Sequence, residues 1–304
     1  MHQGSALVIA LLIVVTLTGL TVAFSEESGI DLSLAGYSRD GLRAYQAARS
    51  GVHVALSLLG GDEDRNMDSL TEEWGRFSVE SFPEELPEEI SVSGRIMDEN
   101  SKININHLID EKGEIDEVRE EQLLRLFQIL GLEETLINPL LDWLDSDDIE
   151  RMNGAESFFY QNLEAPYLCA NGPFLTIGQI LLVKEFKSVN LDLTDFLTIY
   201  SDGKININTA SSQVLQGLDE GIDSALAELI IDYRQEESFL SINDLKKVAG
   251  IDEELFKRIS GWLTVKSSAF SIEIEGNCRE AASRIKTIII REGDKSKIIY
   301  WQVM

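Results

Sequence analysis

Along this chain the spacing of apolar positions changes from continuous to helical, then alternating, then helical again, and ends alternating. Ser5 to Phe24 is an uncharged run, SALVIALLIVVTLTGLTVAF, placed almost at the start. A helix of that length spans roughly 30 Å, the thickness of a bilayer's hydrocarbon core. Leu42 to Leu59 carries apolar and small residues on a helical period and stops at Gly60-Gly61. Gly29, Gly36 and Gly41 are candidate bends between the two stretches. Asp62 to Glu73 is polar and reads as a loop. Phe77 to Ser81 and Ile90 to Ile96 alternate and predict strands, separated by Pro83 and Pro87. From about Glu99 to Val265 the pattern is helical. Strand-like runs return at Phe270–Ile274, Ile285–Arg291 and Ile298–Val303. Strands therefore flank a helical block. They form either two separate β-regions or, more economically, one sheet interrupted by an insertion, because short strands need partners to bury a face.

The helical block repeats itself. Lys102-Ile-Asn-Ile-Asn106 recurs as Lys204-Ile-Asn-Ile-Asn208, and Phe174-Leu-Thr-Ile-Gly-Gln-Ile180 as Phe239-Leu-Ser-Ile-Asn-Asp-Leu245. The first copy holds the longer stretch between its markers, mostly in a polar segment from Asp145 to Gly172. The second copy reads as a helix-hairpin-helix unit, with Asn208 and Thr209 expected to cap the helix that follows. Such hairpins bind DNA through backbone N–H groups and nearby cations. Here Asp219, Glu220 and Asp223 would face the phosphates, so packing of two helices about a turn is the favoured reading.

Charge sharpens this. Acidic residues outnumber basic ones 53 to 26, a formal charge of −27. That field repels nucleic acid and favours cations. The acidic segment of the first copy, Asp142-Trp-Leu-Asp145-Ser-Asp147-Asp148 followed by Asn153-Gly-Ala-Glu156, offers hard oxygen ligands of the kind Ca²⁺ takes. It lacks EF-hand spacing, and from spacing alone a metal loop and a solvated acidic loop stay equally open. Three scattered histidines (His2, His53 and His107) and the lack of a nucleophile or phosphate-loop motif argue against an enzyme. Cys169 and Cys278 permit one disulfide at most and read as buried thiols. Before the apolar run, Met1-His2-Gln3-Gly4 has no basic residue, and Ala23-Phe24-Ser25 is a poor signal-peptidase site. A plain anchor is one reading. Cleavage after Gly4, leaving the helix to start the mature chain at Ser5, is the other, and it is the layout of type IV prepilin-like proteins.

Taken together, these residues resemble the K-type minor pseudopilin of the bacterial type II secretion system, the general secretion pathway protein K family. Carrying the resemblance are Gly4 before the apolar helix, Tyr45-Gln-Ala-Ala-Arg-Ser-Gly51, and Asp142-Trp-Leu-Asp-Ser-Asp147. Gly154-Ala-Glu156 with Phe159-Tyr160, Asn171-Gly-Pro173-Phe, Gly203-Lys-Ile-Asn-Ile-Asn-Thr-Ala210 and the Trp301 strand extend it over nearly the whole length. The lack of Lys or Arg in the leader departs from the family. The resemblance implies an α+β, pilin-like fold, with a long N-terminal helix, an antiparallel sheet and a large α-helical domain inserted into it. On that basis the chain divides into a leader (1–4), the membrane and pilin helix (5–61), and a first β region (62–98). The inserted domain (99–265) holds related units at about 99–190 and 200–260, and a last β region covers 266–304.

The same resemblance implies cleavage after Gly4 and N-methylation of Ser5 by the prepilin peptidase. It also implies structural Ca²⁺, with Asp145, Asp147, Asp148 and Glu156 as candidate ligands. Implied partners are I-type and J-type minor pseudopilins in a tip complex, the inner membrane, and passing secreted exoproteins, with no nucleic acid. The body would lie in the periplasm. Ile9 takes the place where most pilin-like proteins carry Glu. In the family picture that Glu pairs with the N-terminal amine of the subunit already in the fibre. Without it, Ile9 suits a subunit that comes first. The expected function is therefore a non-enzymatic tip subunit that initiates a pseudopilus. The alternatives are a membrane-anchored module that uses its helix-hairpin-helix unit for ligand binding or DNA uptake, and a membrane-tethered hydrolase.

Overall fold

The computed structural model describes residues 3–61, 66–77, 86–292 and 295–304. Helix α1 (Gln3–Gly60) is continuous. It is uninterrupted at Gly29, Gly36 and Gly41, where an added Cβ would meet nothing within 4 Å. A glycine weakens a helix but breaks none of its hydrogen bonds. From Leu7 to Phe24 the apolar side chains are exposed, and the helix is long and apolar enough to cross a membrane. Burial begins at Asp40 and Ala44 and continues at Ala47, Ala48, Val52, Ala55 and Leu59, a helical stripe facing the sheet.

The remaining elements follow in order. They are β1 (Ile90–Asp98), β2 (Ile103–Asn104), α2 (Glu117–Ile129), α3 (Ile137–Leu144), α4 (Ser157–Gln161), β3 (Leu197–Thr198), β4 (Ile205–Asn206) and α5 (Ser212–Leu218). After these come α6 (Ser224–Glu236), α7 (Glu253–Ile259), β5 (Leu263–Thr264), β6 (Ala269–Cys278), β7 (Ala281–Glu292) and β8 (Lys295–Val303). One antiparallel sheet has the order β1-β6-β7-β8, so the helical block is an insertion between neighbouring strands. Burial alternates along Ile272–Cys278 of β6, whereas Ala269–Ile272 and Thr287–Ile289 are buried consecutively and the described side chains of β8 are exposed or half-buried. The strand expected at 77–81 falls at 78–81 outside the described residues.

Sheet and helix approach closely. A Cβ on Gly276 would lie 2.3 Å from the Ala44 carbonyl and 2.4 Å from the Ala48 nitrogen of α1. Val92, Ile96, Phe270, Ile272, Ile274, Ile285 and Ile289 fill the space beneath the helix, with Trp74 edge-on to Phe270 at 5.1 Å. The inserted block has its own, larger core.

The internal repeat has a structural meaning. In each copy the last Asn of Lys-Ile-Asn-Ile-Asn clamps the Phe of the second marker. Asn106 donates to the Phe174 carbonyl (2.9 Å) and accepts from its N–H (2.8 Å), and Asn208 does the same with Phe239 (2.9 and 2.9 Å). Each copy closes on a short parallel pair, β2 with β3 and β4 with β5. Asn208 and Thr209 are thus not helix caps. Ser211 caps α5, accepting from Val214, and the Thr209 hydroxyl donates to Asp98. Cys169 and Cys278 are free and buried.

Asp98 is the meeting point of insertion and sheet. Its carboxylate accepts from Asn206 Nδ2 (3.0 Å), Thr209 Oγ1 (2.6 Å), Ser267 Oγ (2.5 Å) and the Asn100 N–H (2.7 Å). Burial pushes its pKa up to about 6 despite these donors, with the nearby Asp68 charge adding to the rise. A folded pKa above the ordinary carboxylate value makes the folded state the better proton binder between about pH 4 and 6. Its contribution to stability is therefore greatest below that window and falls as pH rises through it. Asp98→Asn turns a donor toward groups that themselves donate. It should cost roughly 1–3 kcal/mol and flatten the stability-versus-pH curve between pH 4 and 6, read by urea denaturation across that range. Gly276→Ala should cost roughly 1–3 kcal/mol by lifting α1 from the sheet, measured in the same way.

Candidate metal centre

The longer first copy spends its extra chain on one loop. α3 presents Asp142 and Asp145 three residues apart, hence on one face. Trp143 between them packs edge-on to Tyr160 (5.3 Å) and stacks on Phe174 (6.0 Å), anchoring the helix in the core. Asp145 is the C-terminal cap, and the chain then loops out through residues 146–155 and returns at Glu156, before α4. Lys184 fastens the loop from outside, donating to the Asn153 (3.2 Å) and Gly154 (3.0 Å) carbonyls. Gly154 is required by space: a Cβ there would lie 1.9 Å from Asp142 Oδ2.

Asp142, Asp145 and Glu156 come together, 0%, 5% and 3% exposed. One ligand oxygen from each lies within 4.8 Å of the others. That is about twice a Ca²⁺–oxygen distance of roughly 2.4 Å, so one ion can touch all three. Asp142 Oδ2 accepts from the Ala155 N–H (2.8 Å), and Asp142 Oδ1 from Arg151 Nη1 (2.6 Å). Arg151 Nη1 also donates to Asp145 Oδ2. The second Asp145 oxygen, both Glu156 oxygens and Asn171 Oδ1 are buried without a hydrogen-bond partner. Buried acceptors left unpaired are costly, and the three on Asp145 and Glu156, which lie together, suit a bound cation. Trp143 Nε1 is unpaired as well, but as a donor it adds nothing to a cation site.

The electrostatics agree. Burial, then the charges of Asp142, Asp145 and Asp148, raise the Glu156 carboxyl to about 7. Burial pushes the neighbouring Cys169 thiol up to about 12. Of the four expected ligands, Asp145 and Glu156 belong to this group. Asp147 and Asp148 do not: both are exposed, Asp147 accepting from the Ile149 N–H (2.7 Å) in a local turn and Asp148 from Asn171 Nδ2 (3.3 Å). Sequence reasoning left Asp142 out of the candidate ligands and did not single out Arg151, the counter-ion of Asp142 and Asp145. The spacing of Asp142 and Asp145 on one helix face was the signal for the first; nothing local announced the second.

The other expected site residues lie on α1. Gly4 and Ser5 fall in its first turns, and Ile9 is 57% exposed.

A long N-terminal helix laid on an antiparallel sheet, with a helical domain inserted between neighbouring strands, defines a pilin-like protein of the elaborated kind. The comparisons place it further. The family model described as type II secretion system protein K matches residues 101–202, a helix-hairpin-helix model matches 201–264, and a PilX N-terminal model matches 3–52. Type II secretion system protein K of Aeromonas hydrophila is 23% identical over 320 residues, covering 97% of this chain and 95% of that one. The Klebsiella pneumoniae protein K is 24% identical over 227 residues, 70% of this chain and 67% of its own. ComE operon protein 1 of Bacillus subtilis (strain 168) is 43% identical over 74 residues, 23% of this chain, and the match spans only 36% of that protein. In structure, a chain of the GspK-GspI-GspJ complex of the enterotoxigenic Escherichia coli type 2 secretion system superposes with a TM-score of 0.71 at 20% identity. It covers 90% of this chain and 99% of that one, and at such identity the likeness speaks for the fold. Together these findings support a type II secretion system minor pseudopilin of the protein K kind.

Gly154→Ala should push Asp142 off the Ala155 N–H and cost roughly 2–4 kcal/mol, the sum of an overpacked site and a lost buried hydrogen bond. Thermal unfolding of the variant beside the native chain checks this.

Proposed function

We propose that this chain caps the tip of a short periplasmic pseudopilus and starts its assembly, in complex with an I-type and a J-type minor pseudopilin. Ile9 carries the proposal. A buried, unpaired charge is costly, so in the family picture a Glu at this place drives addition beneath an existing subunit. Ile9 brings no such charge, and a subunit without it is suited to being first. The bulk of the inserted domain supports the same position, since it would clash inside a tightly wound shaft. The matching structure is a complex of GspK with GspI and GspJ, which is what makes such partners the natural choice.

In this reading the prepilin peptidase cuts after Gly4 and methylates Ser5, the apolar part of α1 sits in the inner membrane, and exoproteins meet the tip. The mature protein should begin at Ser5 by intact mass only when the peptidase is co-expressed; an intact Met1 start in its presence would remove the pathway. Ile9→Glu should move the protein from the tip into the shaft, or reduce the number of fibres started, as seen by immunogold labelling of pseudopili. An unchanged tip position and fibre count would argue against the role of Ile9.

The cation reading belongs here too. Asp142, Asp145, Glu156 and Asn171 would hold Ca²⁺, which when bound supplies a structural cross-link between the end of α3 and the returning loop. Calcium at about a hundred times its Kd should stabilise the folded chain by roughly 2.7 kcal/mol. A melting temperature that does not respond to calcium would remove it.

The likeness of residues 201–264 to a helix-hairpin-helix module favours the second reading, nucleic-acid or ligand binding. Against it, the hairpin's Gly221 N–H is already taken by Asp219 (2.8 Å), which also pairs with Arg258 (2.8 Å). Fluorescence anisotropy with labelled duplex DNA should show no binding at physiological salt.

A further inference from the structure

We propose that Arg151 is an exchangeable counter-ion of the carboxylate centre, holding Asp142 and Asp145 while no divalent ion is bound and leaving when one binds. This rests on the calcium reading above. Three buried carboxylates without a cation repel one another and are poorly solvated. Arg151 answers part of that problem: its Nη1 bonds both Asp142 and Asp145. Glu156, the third carboxylate, receives no hydrogen bond from it.

The arrangement is lopsided in a useful way. The side chains of Asp142 and Asp145 are 0% and 6% exposed, whereas that of Arg151 is 27% exposed. The carboxylates are fixed in the floor and the guanidinium reaches them from the rim. Only the arginine can turn out into water without dragging the core with it. The backbone N–H groups of Ala155 and Arg151 also bond the Asp142 oxygens, so the carboxylate stays placed for an ion when the guanidinium leaves. These backbone bonds belong to the loop and stay. The guanidinium bond is the one that can be exchanged, since two cations on the same oxygens repel. The loop can then fold where calcium is scarce and take up the ion later without refolding.

The test uses the full chain purified in detergent, with calcium chloride as the titrant. Arg151→Gln should bind calcium about tenfold more tightly or better by calorimetry, since no internal cation competes. Its ion-free melting temperature should fall below that of the native chain, while the calcium-loaded melting temperatures coincide. Weaker calcium binding, or a loaded variant destabilised as much as the ion-free one, overturns the proposal, because Arg151 would then be a permanent part of the site. Should the variant fail to fold, ¹⁵N-arginine spectra of the native chain decide. The assigned Arg151 signal should show hindered guanidinium rotation without calcium and become free on titration; hindrance of that signal that persists in the loaded protein overturns exchange. A native chain with no calcium response in either measurement removes the calcium reading itself, an outcome distinct from calcium binding with Arg151 still in place.

Discussion

A single buried carboxylate, Asp98, holds together the parts that the chain order keeps apart. It ends β1, so it belongs to the sheet. Its donors come from the opening turn of the insertion, from the second repeat unit through Asn206 and Thr209, and from Ser267 on the return to β6. Asp68 extends the cluster to the segment after α1, accepting from the Ser267 N–H (2.7 Å) and from Arg291, whose other arm reaches the Leu59 carbonyl (3.2 Å). Entry strand, exit strand, helix end and inserted domain thus share one polar knot. A carboxylate is suited to the place because it accepts several hydrogen bonds at once and donates none. Its desolvation is the cost, visible as the raised pKa, and the ring of donors keeps that cost bearable.

Much of this was legible beforehand, for reasons that can be named. Alternation revealed β1 and β6, and β-branched runs revealed β7 and β8; β1, β6 and β7 bury residues beneath α1, whereas β8 is an exposed edge strand. The uncharged run from Ser5 revealed the anchoring helix. Repeated Lys-Ile-Asn-Ile-Asn and Phe-Leu motifs announced two related units, although not that the motifs of each pair bond to each other. What stayed hidden depended on contacts distant in sequence. Asn208 and Thr209 look like caps to a local reading, since Asn and Thr favour that role. Tertiary partners at Phe239 and Asp98 claim them instead. In the acidic loop, the resemblance supplied Asp145, Asp147, Asp148 and Glu156 as candidates. The structure groups Asp145 and Glu156 with Asp142 in a buried cluster, while Asp147 and Asp148 are exposed.

The two repeat units show how one scaffold accommodates different uses. Both keep the Asn–Phe clamp and the parallel closing pair, so the frame stays constant. In the second unit the chain between clamp partners is short and forms a plain helical hairpin, with Asp219 tied to Arg258. In the first, the clamp partners are 68 residues apart instead of 31, 37 more, and the longer stretch between them holds all three carboxylates of the candidate centre, Asp142 on α3 and Asp145 and Glu156 beyond it. Trp143, buried against Tyr160 and Phe174, lets the addition share the existing core instead of building another.

The placement of the insertion also sets an order of events. β1 and β6 are immediate partners, yet Asp98 and Ser267 at their junction are 169 residues apart along the chain. Closing so long a flexible loop is entropically unfavourable, and pairings of that separation form slowly. Once the two clamped units have folded, the ends of the insertion are held side by side, and the effective loop shrinks to the few residues around Asn100 and Ser268, which are themselves hydrogen-bonded (2.8 Å). The inserted domain is then a folding template for the sheet that carries it. It governs the joining of β1 alone, since β6, β7 and β8 are consecutive in the chain and pair locally.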